Sequence, residues 1–461
     1  MPEDGEDATK WRTVRLVLAI ASVGWYATLW ALFLLGCWAA RKRYRSRPRS
    51  PSATADPSSV PGVSILRPLK GLDPNLYENL ESTFTQEYPN FELFLCVESE
   101  HDQALSVVRE LMAKYPNVNA QVAIGADVVG VNPKVNNLMK AYLQAKNDIL
   151  WVLDSNVMVD SGTLARSVDA LDGPASAAPQ GRRRIALVHH TPFAFATEPT
   201  LGSYVEQAFL NTNHAKMYIV INTVAIDSCV VGKSCLYRKS DLDRVDGTLK
   251  PASVTTGRPQ AKGLAAFGRF LAEDNMIAGA LWHELGLRHD LSCDVARNAV
   301  GNMSLADYFW RRVRWIRVRK RMVFAATMVE PFTESIVAGV LASFGLRYLF
   351  GVPQGVFLLL HNLAWLTVDL DVYASIAGHP LTSGATWWKF VGAWAMRESL
   401  ALPIWLFAIW GSTVSWRGRQ YIVMRNGEVS KAGRETGKGW FRWTSWRKNN
   451  DQYEPLELAQ D

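Results

Sequence analysis

The sequence predicts an α/β domain with a mainly parallel sheet, held at a membrane by an N-terminal helix and followed by further membrane helices. Three observations predict it. From Val63 onward short apolar runs alternate with amphipathic ones, the rhythm of strands and helices in a sheet covered on both faces. Leu16 to Ala40 contains no charged residue and is long enough to cross a bilayer as a helix. After Lys320 three more apolar stretches follow, Ile336 to Phe350, Val352 to Val368 and Phe390 to Trp410.

The elements come in order along the chain. The apolar N-terminal run is too long for a secretory signal core, and no small-residue cleavage site follows it, so it reads as a retained anchor. "RKRYRSRPRS" comes next, with Lys or Arg at six of ten positions. Basic flanks stay on the cytosolic side, so the chain from Arg41 is expected in the cytosol. Beside an anchor such a run reads as a membrane flank and not as a nucleic-acid patch; no nucleic-acid partner is expected. "PSATADPSSVP" is a linker by its Pro and Ser content. "VSILRPL", "FELFLCVE", "VNAQVAIG", "DILWVLD" and "RIALVHHTPF" read as strands, and "PNLYENLESTFTQEYP", "QALSVVRELMAKY" and "KVNNLMKAYLQAK" as the helices between them. Residues 172–184 and 247–263 are rich in Gly, Pro and Ala and read as surface loops.

The expected organisation is a short segment over 1–15, an anchor over 16–40, a basic and Pro/Ser linker over 41–62 and a catalytic domain over 63–303. An interfacial helix over 304–325, membrane helices over 326–411 and a basic tail over 412–461 complete it. Three crossings after a cytosolic domain would put the basic tail on the far side, against the charge rule. One of the three stretches is therefore expected to be interfacial or re-entrant. Arg397 and Glu398 lie within an apolar stretch, which is costly unless they are paired or face a cavity. The five cysteines have no zinc-type spacing and read as reduced thiols. Cys96 and Cys293 read as core residues, and Cys229 is a candidate lining residue.

In open α/β sheets ligands bind at the carboxyl ends of strands. Asp154 stands at one such end and the acidic run Glu98 to Asp102 just past another. Glu273 and Asp274 open an amphipathic segment, and "RRVRW", Arg311 to Trp315, sits on a helix begun at Ser304. Each alone is weak, since surface carboxylates are common and an arginine-rich helix near a membrane can simply snorkel. Together they suit sugar transfer from a nucleotide sugar. The diphosphate leaving group needs a divalent metal and cations, and an alcohol acceptor needs a general base. Asp274, at a helix N-terminus, is placed for that role, with its pKa expected to be lowered by the helix dipole.

The order Asp102, Asp154, Asp274, then Arg311, Arg314 and Trp315, resembles the D, D, D, (Q/R)xxRW signature of inverting family 2-type glycosyltransferases. From the anchor to about Tyr421 the chain resembles the ceramide glucosyltransferases, family 21. The stretches that carry this include "PGVSILRPLKGLDPNLYENLES", "NPKVNNLMKAY", "LVHHTPF", "CVVGKSCLYRKSDLD", "FLAEDNMIAGAL", "RRVRWIRVRK" and "RESLALPIWLFAIWGSTVSWRGRQY". The resemblance implies a Rossmann-like GT-A domain facing the cytosol from a Golgi or ER–Golgi membrane, multi-pass. It implies transfer of glucose from UDP-glucose to the primary hydroxyl of ceramide with inversion, helped by Mg or Mn. Asp102 and Asp154 would bind the nucleotide, Asp154 would also hold the metal, and Asp274 would be the base. Arg311, Arg314 and Trp315 would form the last motif, with Arg311 and Arg314 on one side of the helix and Arg312 turned away to water or headgroups. His189 would be functional, although a lone strand histidine is more often a satisfied core residue. "VESEHD" replaces the more acidic cluster of animal members, so either Glu100 or Asp102 fits the first acidic role. The loop insertions and the tail resemble fungal members.

A two-chain lipid acceptor explains the architecture, because each methylene leaving the bilayer costs about 0.8 kcal/mol. Two rival classes share some of these features. A processive polysaccharide synthase of chitin or hyaluronan type needs more membrane spans. A non-catalytic membrane scaffold would tolerate loss of Asp274 and Arg314. Oligomerisation, metal identity and ceramide chain length stay open.

Overall fold

The computed structural model describes residues 3–172, 183–250, 261–381, 384–416, 419–424 and 427–431. Most of the two expected surface loops and of the tail lie outside the described residues. The chain begins with α1 (Glu3–Tyr44) and continues through β1 (Val63–Pro68), α2 (Leu76–Phe84), β2 (Phe91–Val97), α3 (Ala104–Lys114), β3 (Ala120–Ile124), α4 (Pro133–Gln144) and β4 (Ile149–Leu153). β5 (Val157–Met158), α5 (Thr163–Asp172), β6 (Ile185–Ala196), α6 (Leu201–Phe209), a π turn over Leu210–His214 and α7 (Ala215–Val224) follow. Then come β7 (Ser234–Arg238), α8 (Lys239–Leu242), α9 (Glu273–His283), β8 (Arg288–Val300), α10 (Leu305–Met322), α11 (Phe324–Val329), α12 (Ser335–Phe350), α13 (Gln354–Ala377) and α14 (Ala385–Ile409). β9 (Thr413–Trp416), β10 (Arg419–Val423) and β11 (Val429–Lys431) make a small antiparallel sheet.

The main sheet has the order β3-β2-β1-β4-β7-β6-β8-β5. β1, β2, β3 and β4 are parallel, as are β6 and β8, whereas β7 runs antiparallel to both its neighbours and β5 antiparallel to β8. The sheet is thus mixed and mostly parallel, as expected. Strands β1, β2 and β4 are almost wholly buried, because helices cover both faces, whereas the edge strand β3 buries only Ala123; two separate apolar clusters fill the two sides. β7 has a consequence for function. Being antiparallel, it starts where β4 ends, pairing Leu153 with Ser234, so the turn before β7 meets the turn after β4.

α1 does more than anchor. Its first part faces outward, while Phe33, Ala40 and Tyr44 are buried against the α/β domain and α13. Tyr44 shares a hydrogen bond of 2.6 Å with Thr191. The basic run around it is tied inward, Arg41 to Asp371 at 2.7 Å, Arg43 to Asp290 at 3.2 Å and Arg47 to Asp160. Ser50 and Ser52 bond Asp169, so the expected linker is strapped along the domain.

Among the described residues two helices, α1 and α13, are long and apolar enough to cross a membrane. A third span is made if the bent pair 324–333 and α12, at 67°, counts as one. α12 runs antiparallel to α1, since Trp25 bonds the Phe332 carbonyl and Tyr348 reaches that of Arg12. α13 runs parallel to α1, with Tyr26 meeting His361 and Arg41 meeting Asp371. α14 is not among the span-length apolar helices; Arg397, Glu398 and Pro403 interrupt it. It packs instead on α6 and α10. Arg397 is paired on both sides, with Glu334 at 2.7 Å and Glu398 at 2.6 Å, which meets the cost of placing charge there.

Candidate active site

At the carboxyl end of β4 five charged side chains converge. Asp154 receives Lys134 Nζ at 2.9 Å and Lys233 Nζ at 3.0 Å. The same Lys134 ammonium lies 2.8 Å from Glu273 and 3.3 Å from Asp274. Lys134 is the second residue of α4, where a cation opposes the helix dipole; three carboxylates compensate it. Asn132 locks the arrangement. Its side-chain oxygen caps α4 at Lys134 N (2.8 Å), and its amide donates to Phe270 O (2.8 Å) and Glu273 Oε2 (2.7 Å), joining the start of α4 to the start of α9.

One close glycine approach and two cations shape this floor. A Cβ added to Gly232 would lie 1.5 Å from Asp274 Oδ2, so only glycine lets the turn before β7 close on that carboxylate. Lys233 follows at once and also donates to Asn156 Oδ1 at 3.1 Å. Arg67, fully buried, holds the turn after Asp154 through the Val157 carbonyl at 3.0 Å.

The electrostatics separate the two aspartates. Burial pushes Asp154 upward, but Lys134 and Lys233 outweigh it and bring its carboxyl down to about 2. Asp274 goes the other way: burial and then Glu273 raise it well above the usual carboxylate range, and Lys134 offsets only part. The expectation of a dipole-lowered Asp274 is therefore corrected, because the dipole is worth only about 0.3–1 kcal/mol at an exposed helix end while this end is enclosed. Two carboxyls held apart in this way are the mark of distinct acid–base assignments.

The other expected residues fall around this centre. Asp102 lies past β2, where its Oδ1 accepts from Gly71 N and Ala104 N, both at 2.9 Å. It fixes the loop after β1 and the start of α3 and touches neither Asp154 nor Asp274. His189 is fully buried and shares a hydrogen bond with the Tyr218 hydroxyl. That hydroxyl accepts from Val231 N at 3.0 Å, so His189 stands behind the Gly232 turn. His190 bonds Ser234 Oγ at 2.8 Å and Ser167 Oγ at 3.0 Å.

In the last motif Arg311 donates to Glu206 at 2.8 Å and lies 5.1 Å from the Trp315 ring. Arg314 is half-buried. Trp315 packs against Phe209 and His214, with ring centroids 6.4 and 6.1 Å away. Arg312 is not in water. It is buried, 3.7 Å from the Phe209 ring and 3.6 Å from Glu330, because α6 and the elbow after α11 cover the side of α10 that helical geometry alone leaves open. All five thiols are free; Cys229 is half-buried, Cys96 is buried, and Cys293 is half-buried where a core position was expected.

Lys134, Lys233, Asn132 and Gly232 were not singled out from sequence, whereas Glu273 was seen only as the neighbour of Asp274 at a helix start. The usable signal was a lysine at a helix start beside an acidic pair on another helix start. Among the described residues no group of three or more His, Cys, Asp or Glu side chains is arranged to hold a metal. Asp154, ionised and at a strand end, supplies one carboxylate, which suffices for a cation that takes its other ligands from water and substrate phosphates.

The model of glycosyl transferase family 21 matches residues 25–429. The ceramide glucosyltransferase of Komagataella phaffii is 38% identical, covering 88% of this chain and 90% of that protein. That of Candida albicans is 31% identical over 88% of this chain and 97% of its own. Ceramide glucosyltransferase 1 of Caenorhabditis elegans is 32% identical over 81% of this chain and 74% of its own. Among solved structures, the mannosyltransferase of Pyrobaculum calidifontis in complex with GDP-Man and Mn2+ aligns over 84% of this chain and 99% of that one, with 17% identity and a TM-score of 0.45. On a match across most of its length and relatives above 30% identity, the chain belongs to glycosyltransferase family 21.

Proposed function

We propose that the protein transfers glucose from UDP-glucose to the primary hydroxyl of ceramide, with inversion in a single displacement, as a fungal-type ceramide glucosyltransferase. The observation that carries this reading is the Lys134 ammonium gathering Asp154, Glu273 and Asp274 at the sheet's carboxyl edge, in a chain whose relatives bear that name. Asp274 takes the proton of the attacking hydroxyl; its raised affinity for a proton makes it a better base than an exposed aspartate. Gly232 lets the acceptor-side turn approach it. Lys134 and Lys233 hold positive charge beside Asp154, where the diphosphate departs. Arg314 meets that diphosphate from α10, with Arg311 and Trp315 setting the helix. Asp102 acts on the nucleotide through the loop it fixes, and His189 positions Val231 through Tyr218. Asp154 would hold Mg or Mn, which when bound draws charge from the leaving diphosphate.

The placement proposed is a Golgi or ER–Golgi membrane with the α/β domain in the cytosol. α1, α12 and α13 cross, and α14 lies along the interface, so that the tail returns to the cytosolic side, as its basic character requires. The decisive assay uses the purified chain in nanodiscs with ceramide and separate UDP-sugars. Glucosylceramide from UDP-glucose alone is expected. Transfer of another sugar, or no lipid product, overturns the reading.

A further inference from the structure

After α14 the chain returns to the α/β domain. Lys320 donates to the Ile409 and Gly411 carbonyls at 2.6 and 2.7 Å, and Arg317 to the Thr413 carbonyl at 2.7 Å. Cations from the last turns of α10 thus satisfy carbonyls at and beyond the end of α14 and fix where β9 starts. Along the small sheet Val414, Tyr421, Val423 and Val429 are buried while Ile422 is exposed, the alternation of a sheet with one covered face. Val131, Leu271 and Val318 pack against that face. Each adjoins a part of the site. Val131 precedes Asn132, Leu271 lies shortly before Asp274, and Val318 stands one turn beyond Arg314 on α10.

The most direct link runs through β11. Glu428 forms an antiparallel bridge with Phe270, and its carboxylate lies 3.1 Å from Arg269 Nε. Arg269 also donates to the Asp246 carbonyl at 2.8 Å. The Phe270 carbonyl accepts from the Asn132 amide at 2.8 Å, and the same amide donates to Glu273 Oε2 at 2.7 Å. Glu273 and Asp274 open α9 together. Direct contacts therefore lead from Glu428 through Phe270 and Asn132 to the carboxylates around Lys134.

We propose that Glu428, paired with Arg269, is a positioning residue for Asp274: the sheet that follows the last membrane helix sets the segment 268–272 and with it the place of the base. This rests on the role given to Asp274 above. Glu428 and Arg269 are each about 30% exposed, and such a pair adds little to global stability. Rate is more sensitive, because a base misplaced by about 1 Å costs about 100-fold. The effect of the pair thus falls on turnover before it falls on folding.

The test measures initial rates of the full chain in nanodiscs with ceramide and UDP-glucose. Glu428→Arg turns the attraction to Arg269 into repulsion. Its kcat is expected to fall about tenfold, with both KM values and the circular dichroism unchanged. Arg269→Glu should do the same. The two together restore the pair with its charges exchanged, and kcat should recover to within about threefold of the unaltered protein. Action through the base is read in a second background. In Asp274→Asn, adding Glu428→Arg should lower the remaining rate by less than about twofold. An unmoved kcat in Glu428→Arg, a rise in either KM that accounts for the loss, a charge exchange that recovers nothing, or the full loss in the Asp274→Asn background overturns the assignment. Should Glu428→Arg not fold, Glu428→Gln, expected to lose about threefold in kcat, decides by the same comparison of the two backgrounds. If the unaltered protein makes no glucosylceramide, the proposed function itself fails. Product formed with an unmoved kcat in the Glu428 variants sinks the positioning role alone.

Discussion

Asp154 and Asp274, from opposite parts of the sequence, share one cation: Nζ of Lys134 is 2.9 Å from the first and 3.3 Å from the second. Their surroundings differ in what else they supply. Asp154 has a second lysine, whereas Asp274 has Glu273 at its side and a glycine against its Oδ2. One carboxylate is held ionised and the other is held ready to accept a proton.

Asp274→Asn keeps the size and cannot accept a proton. Turnover is expected to fall about 100-fold or more, with UDP-glucose affinity little changed. Near-normal single-turnover rates in this variant would remove Asp274 from the role of base.

The same variant carries a stability signature. A carboxyl whose folded pKa lies above its unfolded value binds protons more tightly when folded, so its ionisation costs stability as pH rises from the unfolded value, about 4, through the folded one. Asp274→Asn removes that cost. Its Tm should match the unaltered protein near pH 4 and exceed it increasingly toward pH 8. A Tm difference that is flat with pH contradicts the raised pKa.

The first half of the sheet was legible because β1 to β4 are parallel strands separated by amphipathic helices, and β1, β2 and β4 are buried, so that they appear as apolar runs. β7 and β8 were not assigned as strands: "SCLYR" and "RHDLSCDVARNAV" carry polar residues that β6 and neighbouring helices bury. The aspartates were visible through strand ends and helix starts. Lys134 was not, since nothing local tells a surface lysine from one enclosed by three acids of two distant segments. Arg312 was misjudged for a related reason. Helical spacing gives the angle between Arg312 and Arg314 but not which side α6 covers.

Gly232→Ala tests the closeness of the turn to the base. The added Cβ would require Asp274 Oδ2, 1.5 Å away, to move, and a misplacement of about 1 Å costs about 100-fold in rate. The expected result is a large fall in kcat with the protein still folded by circular dichroism. Retained kcat would mean that Asp274 does not need its observed position.

Chelation should abolish transfer, and Asp154→Ala should lose UDP-glucose affinity in a way that depends on added Mg or Mn. Titration calorimetry with and without metal separates the effects. Full activity in excess chelator removes the metal from the mechanism.

The last prediction separates the two central arginines of α10. Arg314→Lys keeps the charge but loses the planar fork suited to a diphosphate. It should lower kcat sharply while leaving Tm near that of the unaltered protein. Arg312→Lys, which spacing alone would make silent, replaces a buried guanidinium lying 3.7 Å over Phe209 and near Glu330. A lysine stacks less well and leaves Glu330 more weakly paired, so Tm should fall, by an amount corresponding to about 1–3 kcal/mol. The measurement is Tm beside initial rate at saturating ceramide across UDP-glucose concentrations for both variants. Equal and mild losses in both would reduce the pair to membrane-surface charge, and the phosphate role of Arg314 would have to be given up.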